Sequence, residues 1–526
     1  MTKLPVTWPP GLSAVLKLGT GKTAPTQSRK VWVSLANRER SIITTMTATA
    51  VQQFPQSNGA GDLGAILASQ REAFFRNAAP SLEARRADLA RLKQAIKENT
   101  GRIAEVISSD FGNRSTHESR FAEIWTTLAG IRHTSSHLGK WMKPKRVSVS
   151  LELMPGKARI IYQPVGVVGI ISPWNYPFQL SILPLMAAIA AGDCVMLKPS
   201  ELTPRTAAFM AELLSGIFPA DKVAVVQGGP EVGEAFSRLP FDHLFYTGST
   251  AVGRNVMRAA AENLTPVTLE LGGKSPCIVG DDASMPAAVE SIIFGKLMNA
   301  GQTCVAPDYV LVPRARREEF VRQAEAAVRK FYPTLKSNPD YTSIVNERHY
   351  RRLSNYIEEA KAKGAAVVEI NPAGEALEPG ARKFTPSLVL DPEDGLGVMR
   401  DEIFGPILPI KSYDRLDDAI EYVNRRPRPL ALYYFGLDPK KRDEVLRRTI
   451  SGGVGVNETL MHLAVDDLPF GGIGTSGIGA YHGEFGFQTF SHRKGVFLQS
   501  RFNSAWMLRP PFGKLANFML KLMMLR

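Results

Sequence analysis

A chain of 526 residues with 44% hydrophobic and 22% charged residues has a globular composition and the length for several domains. Three cysteines, an odd number without framework spacing, exclude a disulfide scaffold and favour a reducing, cytoplasmic compartment. The formal charge of +14 sits mostly at the two ends: Lys3, Lys17, Lys22, Arg29, Lys30, Arg38 and Arg40 face only Glu39, while Arg501, Arg509, Lys514, Lys521 and Arg526 face no acid. The near-neutral body argues against a nucleic-acid surface.

No apolar run reaches the roughly 18 residues of a bilayer-spanning helix. The first 45 residues lack the apolar core of a secretory signal, although their basic, acid-poor makeup is compatible with a transit peptide. They read as a disordered extension, residues 1–58 standing apart from the body and Met46 being a candidate start. LGTGKT at 18–23 resembles the end of a phosphate loop but has Leu16 where the pattern needs glycine.

From about Asp62 the pattern is helical. SLEARRADLARLKQAIKEN places Leu89, Leu92 and Ile96 on one face, and a second helix is expected over 119–142, ending at WMKP. In VSVSLEL, Val147, Val149, Leu151 and Leu153 alternate with polar residues. Pro155 and Gly156 then mark a turn into ARIIY, so a β-hairpin is expected, its apolar face covered by a second subunit.

Between 164 and 280, VGVVGIIS, CVMLKPS, VAVVQGG, HLFYTGS and PCIVG are strand candidates separated by helical stretches such as ILPLMAAIAAG and RTAAFMAELLSGIF. Continuous apolar strands alternating with helices predict a parallel sheet covered on both faces, with ligands at its carboxyl edge. A second α/β stretch over 285–450 repeats the style, with EEFVRQAEAAVRKF as a helix and LALYYFG as a strand.

GGIGTSG satisfies G-x-G-x-x-G at Gly472, Gly474 and Gly477, but lies outside any βαβ unit and reads as a loop. His133 and His137 share a helix face without a third ligand, so no metal site is expected. The tail after Pro511 places Leu515, Phe518, Met519 and Leu522 on one helical face. Packing over the subunit is favoured for it, ahead of guarding the substrate mouth or lying on anionic membrane.

The chemistry centres on Cys304 in NAGQTCVAPDYV, whereas Cys194 and Cys277 sit in apolar runs. A free thiol titrates near ~8.5 and needs a base or dipole to react at neutral pH. Glu270, where VTLELGG carries a strand into two glycines, is a carboxylate suited to that work.

SPWNYPF (172–178), KPSE (198–201), FYTGSTAVG (245–253), ELGG (270–273), GQTC (301–304), EIFGP (402–406) and PFGG (469–472) follow in order. Together they resemble the aldehyde dehydrogenase superfamily over about residues 60–500. GQTCVAPDYV, MHLAVDDLPFGG and YHGEFGFQTFSHRK look most like its class 3 branch, and RPPFGKL is similar to the coniferyl aldehyde dehydrogenases within it.

The resemblance implies an α/β aldehyde dehydrogenase-like fold. It combines a Rossmann-type cofactor domain (59–142 and 163–269), a catalytic domain (270–483), a β-hairpin bridging and oligomerisation element (143–162 with 484–500) and the tail 501–526. It makes Cys304 the nucleophile, forming a thiohemiacetal and then a thioester. Asn175 and the Cys304 amide become the oxyanion donors, and Glu270 the base for hydrolysis. Gly248, Ser249 and Gly253 carry over as pyrophosphate-binding positions, Lys198 and Glu201 as adenosine-ribose contacts. Glu402 and Phe404 carry over as residues holding the nicotinamide ribose and packing near its ring, and Trp174 and Leu271 as further cofactor-binding positions. NAD is implied, with NADP tolerated because class 3 relatives often use both, and a homodimer is expected.

The implied substrate is an aldehyde, aromatic such as coniferaldehyde or medium-chain aliphatic. The rivals are a coenzyme A-acylating relative, which generally lacks the glutamate found at 270, and a catalytically silent binding protein of the same fold. The small residues around Cys304 are expected to let nicotinamide and substrate approach the sulfur in turn.

Overall fold

The structure, a computed structural model, describes residues 61–503 and 509–524. The expectations for residues 1–58 lie outside the described residues.

Local signals in the sequence set the first helices. Ser81 caps Leu82–Glu98, its hydroxyl accepting from Ala84 N at 3.2 Å, an interaction typically worth about 1 kcal/mol. Leu89, Leu92 and Ile96 are fully buried along the face their spacing marks out; such burial stabilises by about 1.5–3 kcal/mol per side chain.

The alternating pattern after residue 164 builds a six-stranded sheet. Its strands lie in the order Gly477–Ile478, Val267–Glu270, His243–Thr247, Val167–Ile171, Cys194–Lys198, Val223–Val225. The last five are parallel. Alternate residues of Cys194–Lys198 enter opposite cores: Val195 and Leu197 pack with the largely apolar helix Gln179–Ala191, and Cys194 and Met196 with Leu63 and Leu67. Burial on both faces is why these strands are continuously apolar. Gly477–Ile478 joins from the glycine-rich loop and runs antiparallel against Glu270 and Leu269.

PCIVG, grouped by sequence with these strands, belongs to a second sheet. That sheet runs Ala366–Glu369, Ser387–Leu390, Ile407–Tyr413, Tyr309–Pro313, Pro276–Val279, Ala431–Phe435, Gly453–Val456. All its neighbours are parallel except Ala366–Glu369. The chain therefore crosses between sheets in the few residues after Glu270, through Gly272 and Gly273.

Three further expectations need correction. The hairpin has a shorter first strand: Lys145–Val147 pairs with Lys157–Pro164, but Leu151–Leu153 is a 3₁₀ turn. There the backbone bonds locally, with Leu153 N on Ser150 O, Met154 N on Leu151 O and Gly156 N on Leu153 O. Ser491–Leu498 completes a three-stranded sheet on the other side of Lys157–Pro164. Second, the helix expected over 119–142 begins with a π-helical stretch, Ser119–Trp125, before Thr126–Trp141. Third, the tail helix Lys514–Met524 buries only Ala516, while Leu515, Phe518 and Leu522, on the face singled out for packing, are exposed. Among the described residues no helix is long and apolar enough to cross a membrane.

Candidate functional site

Of the three free cysteines Cys194 and Cys277 are buried, and Cys304 alone is half-buried. It occupies the turn Thr303–Ala306, closed by Ala306 N on Thr303 O at 3.0 Å, just after the helix Met285–Leu297 and the 3₁₀ turn Met298–Gly301. The thiol lines a cleft of about 750 Å³. Its walls are apolar and aromatic, with Phe121, Trp125, Tyr176, Leu180, Met298, Leu463 and Phe470. Phe121 and Trp125 stack at 5.7 Å and 11° and remain partly open to solvent.

The residues before Cys304 hold the loop in place. Gly301 has φ 75°, and a Cβ there would lie 2.3 Å from Gly405 O, so glycine lets two backbones touch. Thr303 Oγ1 lies 2.7 Å from Tyr176 Oη. Gln302 Nε2 donates to Asn299 O and Ser343 O, and its Oε1 accepts from Val345 N. The loop is thereby pinned.

Glu270 ends its strand with 1% exposure and neither carboxylate oxygen hydrogen-bonded, and burial raises its pKa well above the usual range. Burial first, then the charges of Glu402 and Glu270, pushes the Cys304 thiol up to about 12. Sulfur and both carboxylates thus share one electrostatic neighbourhood. Asn175 is buried, and its Nδ2 donates to Gln302 O at 3.1 Å, leaving its second N–H for another acceptor.

Around the six-stranded sheet, Thr247 and Glu270 stand side by side at the carboxyl edge, and Gly248 N bonds Glu270 O at 3.0 Å. Tyr246 Oη would lie 2.3 Å from a Cβ on Gly248. Ser249 caps the helix Thr250–Ala261 by accepting from Val252 N at 3.4 Å. A Cβ on Gly253 would meet Leu271 at 2.7 Å, so this helix packs directly on the strand exit. Lys198 Nζ bonds Glu201 at 3.1 Å; the lysine is buried and the glutamate partly exposed.

Glu402 lies over Gly272, where a Cβ would come within 2.3 Å of both its carboxylate oxygens. Its Oε1 is buried without a partner, and burial followed by the charge of Asp308 raises it to about 8. Phe404, at φ 50°, meets Trp174 edge-on at 5.3 Å. A helix N-terminus, a carboxylate oxygen lacking a donor and an aromatic wall suit a dinucleotide with ribose hydroxyls.

Sequence reasoning missed what holds these parts. Lys274 Nζ bonds Asp308 at 2.6 Å and the carbonyls of Val398 and Asp401, while Asp308 accepts from Ile403 N. The segment carrying Glu402 and Phe404 is thereby fixed. A lysine directly after paired glycines was the available signal, but its partner is remote in sequence. Phe121 and Trp125 were also missed, their segment being read as surface helix. Among the described residues no group of His, Cys, Asp or Glu has metal-binding geometry.

Residues 32–496 match the model of the aldehyde dehydrogenase family. The chain is 53% identical to a "Probable coniferyl aldehyde dehydrogenase" of Pseudomonas aeruginosa over 86% of its length and 94% of that protein's. It is 47% identical to the coniferyl aldehyde dehydrogenase of a Pseudomonas species, over 89% and 97%. A Staphylococcus aureus AldH solved in a substrate-bound state superposes with a TM-score of 0.83 at 40% identity, covering 88% of this chain and 99% of that one. A Mycobacterium tuberculosis aldehyde dehydrogenase complexed with NAD+ superposes at 0.77 and 30%, covering 85% and 92%. With a reactive-type cysteine, a carboxylate at a strand exit and these likenesses in agreement, the chain belongs to the aldehyde dehydrogenase family.

Proposed function

We propose that the chain oxidises a bulky apolar or aromatic aldehyde, coniferaldehyde being the type, to its carboxylic acid, with NAD as acceptor and NADP tolerated. The observation that carries this reading is the one half-buried cysteine, set at the end of an aromatic-lined cleft beside an unpaired buried glutamate. The coniferyl aldehyde dehydrogenases among the relatives and the NAD+ complex among the structural neighbours support it.

In this reading Cys304 Sγ loses its proton to solvent and bonds the carbonyl carbon, and the carbonyl oxygen takes the negative charge. Asn175 Nδ2 and the Cys304 amide donate to that oxygen; a donor of this kind lowers the barrier by about 3–4 kcal/mol. A bound nicotinamide supplies the acceptor for the hydrogen and electron pair that leave the former carbonyl carbon. Cys304 is left as a thioester. Water then adds while Glu270 takes its proton, the C–S bond breaks, and acid and thiol are released. Glu270 is held protonated by burial, so hydrolysis quickens as pH rises toward its elevated pKa.

Lys198 and Glu201 address the adenosine ribose, and Gly248, Ser249 and Gly253 the pyrophosphate. Leu271, Trp174, Glu402 and Phe404 surround the nicotinamide end. Glu201 disfavours a 2′-phosphate, but its exposure lets it swing aside and leave Lys198 to meet one. The partition into a cofactor region (59–142, 163–269), a catalytic region (270–483) and a bridging element (143–162, 484–500) belongs to the same reading, as do a homodimer and, from the unpaired cysteines, a cytoplasmic setting.

The test is product analysis with coniferaldehyde and NAD, with and without coenzyme A. Ferulic acid should form in step with reduced cofactor whether or not coenzyme A is present, and Cys304→Ala should form none. An acyl-coenzyme A product, or no turnover of any aldehyde while NAD still binds, would overturn the reading.

A further inference from the structure

Opposite the pocket side of the π-helical stretch lies a buried charged group that the reaction as described does not use. Arg114 is 1% exposed and Glu123 fully buried, and they form an ion pair at 2.8 Å. Arg114 Nη1 also donates to the backbone carbonyl of Asn175 at 2.9 Å, which Asn299 Nδ2 shares at 2.9 Å. Its guanidinium lies 4.6 Å from the ring centre of Tyr176, whose hydroxyl meets Thr303. Glu123 Oε2 accepts from Phe178 N and Gln179 N, where the PWNYPF loop enters the helix Gln179–Ala191. A carboxylate at a helix N-terminus is stabilised by the positive end of its dipole. One ion pair therefore holds the loop of Asn175 at its middle and at its end.

Glu118 completes the group from the other side, its Oε2 accepting from Asn299 N and Thr342 Oγ1. Glu118 and Glu123 are five residues apart. In an α-helix that spacing separates side chains by about 140°; the i→i+5 turns of Ser119–Trp125 bring both toward Arg114. Isolated burial of these charges would be costly, and π-bulges concentrate at functional sites.

We propose that Arg114, paired with Glu123, is a positioning residue for the oxyanion site: it fixes the backbone of Asn175 so that the side-chain amide meets the developing charge. The inference rests on the proposed aldehyde oxidation and on Asn175 as its donor. A displacement of about 1 Å in such a donor typically costs about a hundredfold.

The test compares Arg114→Lys, Glu123→Gln and Asn175→Ala, singly and with Arg114→Lys combined with Asn175→Ala. Arg114→Lys should lower kcat by about ten- to a hundredfold with little change in KM. In the Asn175→Ala background it should add almost nothing, because both act through one group. Alkylation of Cys304 by iodoacetamide develops no oxyanion, so its rate should be unchanged. Multiplicative losses, a parallel fall in alkylation, or an unchanged kcat would overturn the proposal. If Arg114→Lys does not fold, Glu123→Gln carries the same comparison. An Asn175→Ala variant of parental kcat would instead sink the donor assignment beneath it.

Discussion

Cys304 meets opposition to its own ionisation. Desolvation, Glu402 and Glu270 all favour the neutral thiol, raising it to about 12 in the free protein. A thiol of ordinary pKa would approach its limiting alkylation rate above pH ~8.5. Here iodoacetamide labelling, measured by mass spectrometry of the Cys304 peptide, should keep rising about tenfold per pH unit from neutrality through pH ~10. Above its raised pKa, where Glu270 carries charge, Glu270→Gln removes one negative charge and should raise the rate at fixed pH, with Glu402→Gln acting in the same direction above about 8. A plateau near pH ~8.5 would show that the sulfur does not feel these groups.

Elements divide by how local their determinants are. The Ser249 cap, the Leu89–Leu92–Ile96 face and the buried strands around 167–198 were legible because neighbours in sequence decide them. The π-helical stretch was not: Arg114 and the Phe178 and Gln179 amides, remote from it or separated by a turn, draw Glu118 and Glu123 to one side. Nor was the Gly477–Ile478 strand, whose only support is an open sheet edge beside Glu270. At the site, residue types named the sulfur and the base, while the ties of Lys274 and Asp308 required the fold. The tail helix lines no part of the Cys304 cleft within its own chain. A chain ending at Pro510 should therefore keep kcat/KM for benzaldehyde within about twofold. A larger change for bulky aldehydes alone would place the tail over a neighbouring subunit's entrance.

For the whole molecule, the three-stranded sheet leaves Val147, Phe497 and Leu498 between 44% and 46% exposed. Val147 and Phe497 both stand opposite Ala158, so they share one row across the sheet, and an exposed apolar face of this kind invites a second chain. In the proposed dimer this is where a second copy sits. Val147→Glu combined with Leu498→Glu should convert the dimer to monomer in sedimentation velocity without lowering the melting temperature of the six-stranded sheet region. A wild-type protein that sediments as a monomer at micromolar concentration would dispose of the interface.

The contact of Gly301 with Gly405 has a mechanical corollary. Two stretches a hundred residues apart are seated backbone on backbone, one leading to the sulfur and the other bearing Glu402 and Phe404. Neither can breathe without dragging its neighbour, so the nucleophile and the cofactor cradle must loosen or tighten in step. An engineer grafting a new loop on one side would have to replace its mate as well.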